Sequence, residues 1–360
     1  QPHRVPLLRD PPTTMNMLRS TANKPTLLAL LSLLAAGCSV GSPMMRPVQV
    51  HSAGASDLVN GEVLMEILVE DIQLGEGPIW LSDEQRFVFA DVLGNRLYSW
   101  TEAKGASIYL EPSGATGHAP VYEDGVLGAN GLALAPDGRL LLCQHGDRRI
   151  ATLTRVDGAP GPISTVVDRH QGKRFNSPND LTVAPDGDIY FTDPPYGFLN
   201  LAESDPNEAR MVFEGELREL PFCGIYRRDA QTGWTTLLND SMDFPNGVGL
   251  SGDGRWLYVN SSNMADPEMM RFSTADGTGG LFYKGPFEEG AAGWFDGMKV
   301  HSSGNIFTTG PGGILVISPE GEKLATIAIP DPATNCCFDE DEEYLYITTF
   351  AYAARLKLKR

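Results

Sequence analysis

The chain has 360 residues, is 42% hydrophobic and carries a formal net charge of −18. That hydrophobic share supports a large core, while the acidic balance argues against nucleic acid and anionic membrane surfaces as partners. Thirty-nine glycines and 26 prolines point to many turns rather than long helices.

Residues 1–37 read as a segment outside the fold. Met15 or Met17 is the natural start, Arg19 and Lys24 form a short basic region, and the apolar run "TLLALLSLLAAGCS" follows. The run is short for a bilayer span and ends in small residues, the pattern of a secretory signal peptide. "LLAAGC" is similar to a bacterial lipobox, with Cys38 as the residue to be lipid-modified and Ala35 where that motif carries Leu. An ordinary signal peptide cut near the same point is the alternative. The expected address is the periplasm, or the cell envelope through a lipid on Cys38, with no other membrane contact.

The expected organisation is a signal peptide over 1–37, a linker over 38–60 and one catalytic domain over 61–360. Besides Cys38 there are Cys143, Cys223, Cys336 and Cys337, with no CxxC spacing and no paired His, which argues against a zinc site. Cys143 and Cys336 sit in apolar strand contexts and read as buried thiols.

The strand pattern repeats along the chain. "LSDEQRFVFAD", "APDGRLLLCQH", "APDGDIYFTDP", "SGDGRWLYVNS", "HSSGNIFTTGP" and "DEDEEYLYITT" share a polar turn, usually Asp-Gly, between an apolar strand and a β-rich one. Asp-Gly between two such runs signals a hairpin, because the turn needs positive φ. The units start roughly 40–65 residues apart, the range of a four-stranded propeller blade. The expected fold is therefore all-β, a six-bladed β-propeller. Closure requires a strand from one terminus to complete a blade begun at the other, and "EVLMEILVE" (62–70) beside "AARLKLKR" is the candidate pair. The longest insertion, about 198–221, is polar and falls inside the third blade.

In a propeller the first strand of each blade lines the central channel, and its first residues sit at one mouth. Those positions are Glu76 in "GEGPIW", Asn130 in "GANGL", Asn179 in "SPNDL", Asn246 in "FPNGV", Asp296 in "FDGM" and Asn335 in "TNCC". Two carboxylates and four amides on one axis form a hard-oxygen set that suits Ca²⁺ best, with Mg²⁺, Mn²⁺ or Zn²⁺ as substitutes. An Asn at a strand mouth also caps its own turn, so each amide has a structural reading as well. Glu76 and Asp296 are harder to explain that way, because unpaired carboxylates on a crowded axis repel.

"LGEGPIW", "NSPNDL", "FPNGV" and "FDGMKV", in that order, resemble the SMP-30/gluconolactonase/regucalcin-like family of six-bladed propellers, and "CQHGDRR", "FTDPPYG" and "TGPGGI" are similar to its bacterial gluconolactonase branch. The resemblance implies a divalent metal in the central channel held by Glu76, Asn179, Asn246 and Asp296, with Asp296 also the proton acceptor and Asn179 also a substrate contact. It implies hydrolysis of a lactone such as glucono-1,5-lactone, with other lactones, esters or organophosphates as alternative substrates. Further substrate contacts are expected from Asn130, His145 and Asn335. Where some family members place an Arg two residues before the "ND" asparagine, this chain has Ser177, with Arg174, Arg148 or Arg149 as candidates to compensate. Tyr196 and Trp80 are candidate pocket walls, and Asp180 and Asp193 candidate positioning groups. The reading from a different class is a non-catalytic calcium-binding scaffold, since propellers also serve as recognition platforms.

Overall fold

A computed structural model describes residues 44–52, 58–59, 61–204, 211–263, 266–287 and 290–359. The expected signal peptide and Cys38 lie outside the described residues. Within them the chain is almost wholly β, interrupted by two short 3₁₀ turns at Ser82–Glu84 and Tyr196–Phe198.

Four separate sheets each contain four antiparallel strands. Their first strands are Gly75–Leu81, Ala129–Leu134, Leu181–Val183 and Pro245–Leu250. A fifth meander starts at Met298–Val300, and a sixth at Ala333–Phe338. The six first strands touch one another in sequence, and the last of them touches the first, so they form a closed circle. The architecture is an all-β, propeller-like fold.

The repeated turn explains the meanders. Leu134 pairs Leu140, Val183 pairs Ile189, Leu250 pairs Leu257 and Val300 pairs Ile306 across it. In the second sheet Gly138 N–H donates to Ala135 O at 2.9 Å and Asp137 Oδ1 accepts the Arg139 N–H at 3.1 Å. The glycine then sits at φ 81°, a left-handed residue placed after a turn whose bend lies at Pro136 and Asp137. The corresponding turns of the first and sixth units use Gln85 (φ 46°) and Glu342 (φ 54°) in place of glycine.

Closure joins the two ends of the chain. Gly61–Glu70 pairs with Tyr352–Lys357, Met65 opposite Leu356, which supplies the sixth meander with its outer strand as the sequence suggested. A second strand, Met45–Ser52, lies within the stretch expected to be a linker. One edge of it pairs with Gly61–Glu70 and the other with Lys323–Ala328, with Val50 opposite both Gly61 and Ile327. The fifth and sixth meanders thereby become one nine-stranded sheet. Two edges that would otherwise present unpaired N–H and C=O groups are covered.

Apolar layers between neighbouring sheets hold the circle together. Phe87 packs on Phe89 (centroids 5.3 Å) and on Tyr346 (4.7 Å), joining the first and last units. Phe175, Phe191 and Tyr226 form a similar cluster under the third. Burying each such ring contributes on the order of 2–3 kcal/mol against the unfolded chain. Cys143, Cys223, Cys336 and Cys337 are free and buried.

Candidate active site

The polar residues predicted at the strand mouths are brought together. Glu76, Asn130, Asn246 and Asn335 stand within the first two or three residues of their inner strands, and Asn179 and Asp296 stand two residues ahead of theirs. All six are buried, with exposures between 0% and 7%.

Glycines behind these residues let the strands close up. A Cβ on Gly77 would lie 2.0 Å from Asn130 O, and one on Gly247 would lie 2.1 Å from Asp296 O. The same proximity lets Gly131 N–H donate to Asn179 O (2.7 Å) and Gly247 N–H to Asp296 O (3.0 Å), which fixes the height of each mouth residue against its neighbour.

The side chains are individually oriented. Asn246 Nδ2 donates to Ser262 Oγ at 2.8 Å, which itself donates to Phe295 O at 2.7 Å. An amide that donates through its nitrogen keeps its oxygen as an acceptor. Asn179 Nδ2 lies 3.4 Å from His145 Nε2, with the same consequence. Burial pushes His145 down to about 4, so its imidazole is neutral at pH 7 and accepts that hydrogen bond. Asp296 is held from three sides. Its N–H donates to Thr309 Oγ1 (2.8 Å), its carbonyl accepts from Asn260 Nδ2 (2.7 Å), and its carboxylate Oδ2 accepts from Trp294 Nε1 (3.3 Å). Glu76 Oε2 accepts from Gly77 N and from Asn335 Nδ2, both at 3.0 Å.

The electrostatics are those of a site short of positive charge. Burial, then the charges of Asp296 and Asp180, raise Glu76 well above the ordinary carboxylate range, against the hydrogen bonds from Asn335 and Gly77. Burial pushes Asp296 up to about 7, against the Trp294 hydrogen bond and with the Asp180 charge. Burial also raises Asp180, and Lys299 opposes it. Asn130 Oδ1 and Asn179 Oδ1 are buried with no hydrogen-bond partner. Buried acceptors without donors beside carboxylates held out of water fit a cation with a preference for oxygen. Among the described residues no group of three or more His, Cys, Asp and Glu converges as a metal cluster, so a cation here would rest on mixed carboxylate and amide oxygens.

Asn335 is used differently from the other amides. Its nitrogen goes to Glu76 and its Oδ1 accepts the Cys336 N–H at 2.8 Å, so it holds Glu76 and caps its own strand. Asp180 Oδ1 accepts the Leu181 N–H at 2.8 Å. Asp193 accepts the N–H groups of Asn176 and Ser177, both at 2.8 Å, and so sets the segment leading to Asn179. Ser177 Oγ donates to Pro194 O (2.6 Å) and accepts from Gly197 N (2.8 Å), which makes it a buried tie between loops. The three arginines considered beside it are engaged elsewhere. Arg148 Nε donates to Phe175 O at 2.8 Å, Arg149 pairs with Asp147 at 3.1 Å, and Arg174 pairs with Asp168 at 3.2 Å. Trp80 is no pocket wall. It sits at the far end of its strand from Glu76, stacks on Tyr346 at 5.2 Å and donates to Glu340. Tyr196 does stand beside the site, next to Asn246 and Ser262 and stacked on Phe244 at 6.3 Å, and Phe213 of the third-sheet insertion also stacks on Phe244, at 5.8 Å.

Trp294, Asn260, Ser262 and Thr309 escaped the sequence reading. Trp294 stands two residues before Asp296 in "WFDG", and Thr309 lies on the second strand of the same meander. Asn260, on the second strand of the fourth unit, and Ser262, just past that strand, reach Asp296 O and Phe295 O of the next unit only once the circle is closed.

Residues 74–351 match the family model described as the SMP-30/gluconolactonase/LRE-like region. The chain belongs to that family. It is 36% identical over 306 residues to a gluconolactonase of Zymomonas mobilis, covering 82% of this chain and 81% of the relative. It is 24% identical to regucalcin of Xenopus laevis, covering 79% and 85% of the two chains. Among solved structures, a gluconolactonase of Xanthomonas campestris superposes with a TM-score of 0.71 at 28% identity, covering 89% of this chain and 100% of that one.

Proposed function

We infer that this protein is a metal-dependent lactonase built as a six-bladed β-propeller, and that its substrate is a sugar lactone such as glucono-1,5-lactone. Glu76, Asn179, Asn246 and Asp296 would hold a divalent cation, with Ca²⁺ the best match to carboxylate and amide oxygens. The observation that carries the reading is the pair of donorless amide oxygens, Asn130 Oδ1 and Asn179 Oδ1, buried in the same ring as two carboxylates raised by burial. The names of the relatives support the lactone as substrate.

A bound divalent cation supplies Lewis-acid polarisation of the lactone carbonyl. The chain's own residues do the rest. Asp296, fixed by Trp294 and Thr309, accepts the proton of the water that attacks the carbonyl carbon. When the ring C–O bond breaks, the same carboxyl returns the proton to the alkoxide, and the open hydroxy acid leaves. The donorless amide oxygens of Asn179 and Asn130 would receive the substrate's hydroxyl groups or the cation. The apolar run ending at Cys38 supports an exported protein, periplasmic or held at the envelope by a lipid.

The test is acid release in a pH-stat from glucono-1,5-lactone, an aryl ester and a phosphotriester, after chelation and after return of Ca²⁺, Mg²⁺, Mn²⁺ or Zn²⁺. Metal-restored turnover of the sugar lactone above its spontaneous rate supports the reading. Cation binding without turnover of any of the three would turn it toward a binding scaffold.

A further inference from the structure

Trp294 precedes the fifth inner strand and is half-buried. Its Nε1–H points at Asp296 Oδ2 (3.3 Å), and its ring meets Phe350 at 5.7 Å with the planes inclined by 60°. Its backbone is pinned as well, since Thr309 Oγ1 donates to Trp294 O at 3.3 Å and accepts from Asp296 N at 2.8 Å. One threonine therefore fixes the spacing between the indole and the carboxylate. A tryptophan offers one N–H donor and no acceptor, so it can meet a carboxylate oxygen only by donating to it. Phe350 comes from the connection between Tyr344–Thr349 and Tyr352–Lys357 of the sixth unit, so the wall joins the fifth and sixth meanders. On this flank an apolar double ring stands beside a buried carboxylate, while the Tyr196, Phe244 and Phe213 stack stands beside Asn246.

We propose that Trp294 is a positioning residue for the reaction: its indole N–H fixes the plane of the Asp296 carboxylate, and its ring forms, with Phe350, a wall for the apolar C–H face of the cyclic substrate. The proposal rests on the lactonase reading for its kinetic consequence, but not for its structural one. Aromatic faces of this kind receive the C–H face of a pyranose ring while leaving its hydroxyls to polar partners. The two contributions separate by substitution. Trp294→Phe keeps an apolar ring and removes the donor. Phe350→Leu keeps the donor and removes half of the wall.

With a charged acceptor losing its donor, W294F is expected to lower kcat about 10- to 100-fold with KM within about twofold of wild type. F350L is expected to raise KM severalfold with kcat retained. A crystal structure of W294F should show the Asp296 carboxylate rotated out of its wild-type plane, a readout that no loss of fold or of packing alone imitates. If W294F does not fold, Trp294→Met serves in its place, because it keeps an apolar side chain there without a donor. Wild-type kcat in the variant, or an effect confined to KM, overturns the positioning role. So does an Asp296 carboxylate that stays in its wild-type plane. If the wild-type protein hydrolyses no lactone, the proposed function fails, and the carboxylate plane in W294F still decides this inference.

Discussion

Asn335 donates its amide to Glu76 Oε2 at 3.0 Å, joining two residues 259 positions apart. The contact exists only because the sixth inner strand closes on the first. It uses Asn335 to hold a carboxylate that burial and the Asp296 charge both disfavour. Asn335→Leu removes that donor and leaves Glu76 with Gly77 N–H alone. The expected cost is about 1–3 kcal/mol of unfolding free energy in chelated protein. Denaturant unfolding measures it, and an unchanged midpoint would show that Glu76 does not depend on the contact.

Asp193 predicts a pH dependence with a defined sign. Burial pushes it up to about 7, against the hydrogen bonds from Asn176 and Ser177 N–H. In the unfolded chain an Asp ionises near ~4. Between those values the folded protein keeps a proton that the unfolded chain has released. The contribution to stability is therefore full at low pH and lost as pH rises from about 4 to 7, by at most ~1.4 kcal/mol per pH unit. The stability difference between wild type and Asp193→Asn should shrink over that window. A constant difference from pH 4.5 to 7.5 would remove Asp193 as the cause.

His145 is expected to remain neutral through pH 6–8, because burial pushes it down to about 4. Its ring signals in a histidine-selective NMR titration should not move in that range. A midpoint near the ordinary ~6.5 would mean that the imidazole is solvated and does not accept from Asn179.

The strand Met45–Ser52 covers two sheet edges at once. A chain shortened to begin at residue 58 should unfold at lower temperature and associate through the exposed edges of Gly61–Glu70 and Lys323–Ala328. Light scattering of the shortened chain beside the longer one tests this. A monomer of unchanged melting temperature would show that the strand is dispensable.

Much of the fold and of the site was legible in local sequence. The polar turn recurs because each meander needs a left-handed residue after the same bend, and Gly138 and Gly254 supply it openly. Glu76, Asn130, Asn246 and Asp296 stood out as oxygen-bearing residues at the starts of apolar inner strands, and the glycine after each lets a neighbouring strand approach. Other features depended on tertiary pairing. Gln85 and Glu342 fill the left-handed position without glycine, so those turns carry a weaker signal. Met45–Ser52 lies in a stretch with two prolines nearby, and only the edges on either side reveal it as a strand. Ser262 and Asn260 donate to Phe295 O and Asp296 O of the next unit, a relationship no local pattern encodes.

The most direct test of the whole account is kcat for glucono-1,5-lactone in Ca²⁺-loaded Asp296→Asn beside wild type, with calcium binding confirmed by calorimetry in both. The carboxamide keeps an oxygen toward the axis and cannot accept a proton. The account predicts retained substrate KM and a kcat lower by about 10²- to 10⁴-fold. A kcat within a few-fold of wild type in the calcium-loaded variant would contradict it.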